Sequence, residues 1–152
     1  MHFEDGFHLV VKRDCPTCTL IEPEIRKLVE SGDFGQNLRI YIQDDPSYLS
    51  DLSQSVSDAS LESSYRLKIE TVPTLIRFEK GEETSRSVGW VRKEWSQLLN
   101  DSMFGEHLPE SRPGCGSLTV MPGVKETLDA RFGELPLNSR TIEIGEFDDP
   151  IE

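Results

Sequence analysis

Arg13-Asp14-Cys15-Pro16-Thr17-Cys18-Thr19 is the stretch that decides the fold. It follows the apolar run Phe7-His8-Leu9-Val10-Val11 and precedes Leu20-Ile21-Glu22-Pro23-Glu24-Ile25-Arg26-Lys27-Leu28-Val29. A short apolar, β-branched run predicts a buried strand. Leu20, Ile21, Ile25, Leu28 and Val29 fall on one face of a helix predicted from about Pro16 to Ser31. Pro16 suits its first position, where a missing N–H loses no partner. Pro23 falls inside it and predicts a kink. Cys15 and Cys18 then sit one turn apart at a helix N-terminus, close enough to close a reversible disulfide.

A helix N-terminus offers unpaired N–H groups and about half a positive charge, which favour a thiolate. The Cys15 pKa is therefore expected below the ~8.5 of a free cysteine. Asp14 opposes this, because a neighbouring carboxylate disfavours a second negative charge. Two other readings of the pair remain open: half of a structural zinc site, or two inert thiols. A zinc site takes about four ligands. The chain adds only Cys115, His2, His8 and His107, with no second close pair, so no metal site and no cofactor is expected.

The chain has 152 residues, with 16 Lys+Arg, 28 Asp+Glu and a net charge of −12. That balance argues against nucleic acid, which needs basic patches, and against an anionic membrane surface. Three cysteines in such a chain are no disulfide scaffold. Met1 to Gly6 lacks the features of a signal peptide, and no run reaches the ~20 apolar residues of a spanning helix. The expectation is a soluble cytoplasmic protein in a reducing compartment.

Further along, Gly32, Gly35 and Asn37 predict a stop and turn. Leu38 to Gln43 predicts a second strand, parallel to the first because a helix separates them. Ser47 predicts a helix cap, and Leu49, Leu52, Val56 and Leu61 keep a roughly helical period; Ser53 to Ser64 is expected to be loop or loose helix. Thr74 to Phe78 predicts a strand headed by Pro73, where proline is tolerated. Glu79 to Glu82 predicts a hairpin turn into Thr84 to Val88. Val91 to Leu99 predicts a helix with Trp95, Leu98 and Leu99 inward. Leu108 to Ser117 reads as a turn-rich linker. Ser117 to Met121 and Thr141 to Ile144 read as short strands, Gly123 to Phe132 as a helix, and the acidic stretch from Glu143 as a frayed end.

Together these features resemble the thioredoxin family: Cys-x-x-Cys after a strand, Pro23 eight residues past Cys15, Thr71-Val72-Pro73-Thr74 before a strand, Lys80-Gly81-Glu82, a glycine and a closing helix. The resemblance covers about residues 6 to 100. It implies an α/β thioredoxin-like fold, a central mixed sheet flanked by helices, in a domain of residues 1–104 with an appended C-terminal segment, 105–152. It implies that Cys15 attacks and Cys18 resolves. It implies a cis Val72–Pro73 bond facing them, with Val72, Pro73, Asp14, Pro16 and Thr17 lining the substrate groove.

The sequence also departs from that family. Asp14 stands where thioredoxin has tryptophan, and Pro16-Thr17 follows the glutaredoxin order. Leu9 replaces the buried acid thought to move protons, and its companion lysine falls near Ile40 or Tyr41. Gly89-Trp90 replaces the Gly-Gly of glutathione binders. The implied activity is thiol-disulfide exchange with a disulfide-bearing protein or small molecule, with electrons from a reductase or a thiol pool. The alternatives are a binding or scaffold module on the same fold, and soft-metal handling through the cysteine pair. Cys115, flanked by glycines, is either a spare thiol, a third redox thiol or a metal ligand. The extension is expected to pack on the core or to mediate self-association.

Overall fold

The computed structural model describes residues 2–31 and 37–133. The expected turn at Gly32 and Gly35, the strand at Thr141 to Ile144 and the acidic end lie outside them. The chain divides into two compact units, Met1–Met121 and Pro122–Glu152. Of the second, the described element is a helix, Val124–Phe132 (α4).

The first unit is a mixed α/β structure. Its central sheet contains Gly6–Val11 (β1), Leu38–Ile42 (β2), Ser55–Ser57 (β3), Thr74–Glu79 (β5) and Glu82–Val88 (β6), in the order β3-β2-β1-β5-β6. β1 and β2 are parallel, as are β2 and β3; β5 runs antiparallel to β1 and β6 to β5. All six residues of β1 are buried, as expected for a central strand covered on both faces. Lys80 and Gly81 make the two-residue β5–β6 turn with φ of 54° and 80°. Two successive left-handed residues match the strand twist. The Asp5 carboxylate accepts from both of their backbone N–H groups at 2.9 Å.

Pro16–Glu30 (α1) is one continuous helix with Pro23 inside it. It buries Thr17, Cys18, Ile21 and Ile25 and packs Leu20, Leu28 and Val29 against the core. Glu62–Arg66 (α2) is short, and Arg92–Leu99 (α3) buries Trp95 and Leu99. Trp90 and Trp95 are fully buried and meet edge to face at 5.3 Å. Each indole N–H finds a carbonyl, that of Pro109 for Trp90 and that of Gly89 for Trp95.

Three local expectations are corrected. Residues 47–54 form turns, and Val56 belongs to β3. The Ser55 hydroxyl donates to the Leu49 and Leu52 carbonyls, closing the turn before the chain joins the open edge of β2. Ser117 to Met121 is not a strand. The Ser117 hydroxyl accepts from the Thr119 N–H and starts a 3-10 turn over Leu118–Val120. The stretch read as a linker carries two short strands, Ser111–Arg112 (β8) and Cys115–Gly116 (β9). β8 pairs antiparallel with Trp90–Val91 (β7), and β9 pairs antiparallel with Thr71–Val72 (β4). Residues 105–121 thus belong to the first unit.

A three-thiol candidate site

The end of β1 delivers the loop that carries Cys15. The Asp44 carboxylate, just past β2, accepts from the backbone N–H groups of Arg13, Asp14 and Asp45 at 2.8, 2.9 and 2.8 Å. Burial pushes the Asp44 pKa up, but these donors outweigh it and hold it below the ordinary value. Asp44→Ala leaves backbone donors without their charged partner. With about 1.5–3 kcal/mol typical for one bond to a charged group, and solvent free to replace part of the set, the expected loss at pH 7 is about 2 kcal/mol. A depressed carboxylate stabilises the fold above its unfolded pKa of ~3.9, and that contribution fades as pH falls through the folded value. The gap in urea midpoint between wild type and Asp44→Ala should therefore narrow as pH falls below ~3.9.

Cys15 is the N-cap of α1, with extended backbone (φ −158°, ψ 106°). Its sulfur accepts from the Cys18 N–H at 3.1 Å, the place a serine oxygen takes in ordinary caps. The Cys15 thiol also points at the Val72 carbonyl, 3.6 Å away. A hydrogen bond from the Cys18 thiol is the largest influence on Cys15. Burial opposes it, and a hydrogen bond from Cys115 and the N–H groups of Cys18 and Thr17 add to it, so its pKa is pushed down to about 6. Burial, then the bond to Cys15, pushes Cys18 far up. One sulfur is thus disposed to ionise and the other to keep its proton. Asp14 is exposed, and its backbone is held by Asp44.

The Val72–Pro73 bond is cis, and Val72 is fully buried. The backbone edge of Val72, expected to receive a substrate, is paired within the chain: Cys115 stands opposite Val72 and Gly116 opposite Thr71. Thr17 does not face an open groove; its hydroxyl donates to the Pro113 carbonyl at 2.7 Å. The buried Lys12 ammonium donates to the Gly116 carbonyl at 2.7 Å. Gly114 fits because nothing larger would: a Cβ there would lie 2.4 Å from the Val72 carbonyl oxygen and 2.5 Å from Thr71 Cγ2. All three cysteines are free thiols. Cys15 and Cys18 are each 1% exposed, whereas Cys115 is half-buried.

Sequence reasoning missed the groups that hold this strand down. Ser117 N–H donates to the Glu70 carbonyl at 3.0 Å. The Gln43 side chain, 2% exposed, donates to Ser64 and Ser117 and accepts from the Leu118 N–H. The Thr119 hydroxyl donates to the Ile69 carbonyl at 2.6 Å. A glutamine following the apolar run Ile40-Tyr41-Ile42 was the available signal. Among the described residues no group of three or more His, Cys, Asp or Glu is placed to hold a metal ion, and no helix is long and apolar enough to cross a membrane. No protein-family model matches the sequence, and comparison with curated proteins finds no match.

Proposed function

We propose that the chain is a thioredoxin-like thiol-disulfide oxidoreductase acting through Cys15 and Cys18. The observation that carries this is the asymmetry of the pair: a capped sulfur pushed down to about 6 beside a fully buried one that burial keeps protonated. The thiolate is the attacking species in exchange. The Cys15 thiolate attacks one sulfur of a substrate disulfide, that S–S bond breaks, and the departing sulfur takes a proton. Cys18 then attacks Cys15, its proton passing to the second departing sulfur. A dithiol leaves, and Cys15–Cys18 is oxidised. A thiol or a reductase returns the two electrons. The thioredoxin-like fold is supported by the sheet order, by the cysteines at the start of α1 and by Val72-Pro73 beside them.

Exchange requires access to Cys15. The β4–β9 ladder is two residue pairs long, and elements held by so few backbone hydrogen bonds open locally at a fraction of the global stability. The burial of Cys15 favours a second reading, a binding module that keeps the fold without exchanging disulfides. Insulin reduction by dithiothreitol separates them. Wild type should accelerate precipitation well above the uncatalysed rate, and Cys15→Ser should return it to background. Equal rates in the two proteins would leave the binding module.

A further inference from the structure

The chain places its own sulfur where a substrate sulfur would stand. Cys115 and Gly116 lie as a short antiparallel strand on the Thr71–Val72 edge, which is how a sheet edge takes a peptide. Cys115 is opposite Val72, the residue whose carbonyl the Cys15 thiol faces. Each thiol shifts the other: Cys115 helps to hold Cys15 down, and burial, then Cys15, pushes Cys115 up. Cys115 is fixed on both sides, by Thr17 on Pro113 and by Lys12 on Gly116. Of the chain's three cysteines, it is the one that solvent reaches.

We propose that Cys115 is a built-in exchange partner of Cys15, so that the oxidised chain moves its disulfide between Cys15–Cys18 and Cys15–Cys115. This rests on the oxidoreductase reading of the same pair. Starting from Cys15–Cys18, the Cys115 thiolate attacks Cys15 Sγ. The Cys15–Cys115 bond forms and the Cys15–Cys18 bond breaks. Cys18 leaves as thiolate and takes up the proton that Cys115 gave up. The chain neither gains nor loses electrons. The disulfide has moved from two enclosed sulfurs to one that is half open. An external thiolate attacking Cys115 then releases Cys15, whose stable thiolate makes it a good leaving group.

The test is disulfide mapping of the full chain after oxidation with diamide and trapping with N-ethylmaleimide. Cys15 and Cys18 share the tryptic peptide of residues 14–26; Cys115 lies on that of residues 94–125, since Arg112 precedes a proline. Wild type should give the two peptides linked, alongside the looped 14–26 peptide. Cys18→Ser should trap the Cys15–Cys115 link almost wholly in monomers. An effective concentration in the millimolar range against micromolar protein favours it by roughly 1,000-fold over dimers. Cys115→Ser should abolish the link. The proposal is overturned if Cys18→Ser keeps Cys115 alkylated or forms Cys15-linked dimers. Wild type and Cys115→Ser reducing insulin equally, with no linked peptide, also overturns it while leaving the oxidoreductase reading intact. A linked peptide without insulin reduction supports the internal exchange and removes the general reductase.

Discussion

Replacing Gly114 with valine should free Cys15, and iodoacetamide should then alkylate it roughly 100-fold faster at pH 7. The covering strand is held over Cys15 by the two-pair ladder to Thr71 and Val72, by Thr17 on Pro113 and by Lys12 on Gly116. At about 1 kcal/mol net for each of roughly four hydrogen bonds, closure is worth about 4 kcal/mol. A Cβ at position 114 would stand 2.4 Å from a backbone oxygen of β4, and backbone cannot give way as the end of a long side chain does. The strand must lift, and most of the closing energy goes with it. Each 1.4 kcal/mol changes the open population tenfold, so losing about 3 kcal/mol gives the stated acceleration. Ser117 and Thr119 keep their own bonds to Gln43, Glu70 and Ile69, which confines the release to residues 113–116. Labelling is scored on the peptide of residues 14–26, because Cys115 is already half open. Gly114→Ala should act in the same direction. An unchanged Cys15 rate in both variants would show that this strand does not gate the thiol.

What the sequence made legible follows from how locally each feature is encoded. The apolar run of β1, the helical stripe of α1, the Lys80-Gly81 turn and the inward Trp95 are written within a few residues, and periodicity or turn chemistry suffices to read them. The Cys-x-x-Cys at the start of α1 is legible for the same reason. What covers it is not. β9 is two residues long and pairs with β4 across more than forty positions of chain, too short to show alternation and too distant for any local rule. Gly114 and Gly116 read as linker residues, although Gly114 marks a close backbone approach. β3 was hidden for a similar reason: three residues rich in serine join the β2 edge only because the turns before them end there. The asymmetry between Cys15 and Cys18 was legible in its sign from the helix N-terminus, but the part played by Cys115 depends on a pairing that spacing along the chain does not encode.

Titrating the reduced protein should show one thiolate forming near pH 6, well below the other two, and Cys18→Ala should move that midpoint upward. The thiolate absorbance in the ultraviolet reads it directly. The hydrogen bond from Cys18 is the largest influence holding Cys15 down, so deleting the Cys18 sulfur removes more than any other single change. Were the midpoint to return fully to the ~8.5 of a free cysteine, the ionised fraction at pH 6 would fall from about one half to roughly one in 300. Cys115 and the backbone N–H groups of Cys18 and Thr17 remain, so the move should stop short of that, and Cys115→Ser should shift the midpoint less than Cys18→Ala does. Stability follows with a definite sign. An acid whose folded pKa lies below its unfolded value stabilises the fold fully above ~8.5, and this is lost as pH falls through about 6. Cys18 is raised and acts in the opposite sense: above ~8.5 its unfolded thiol ionises while the folded one does not. The stability of reduced wild type relative to Cys15→Ser should therefore climb between about pH 6 and pH 8.5 and level off beyond. A difference flat across that interval, with no thiolate forming below pH 8, would remove the charge asymmetry on which exchange by Cys15 depends.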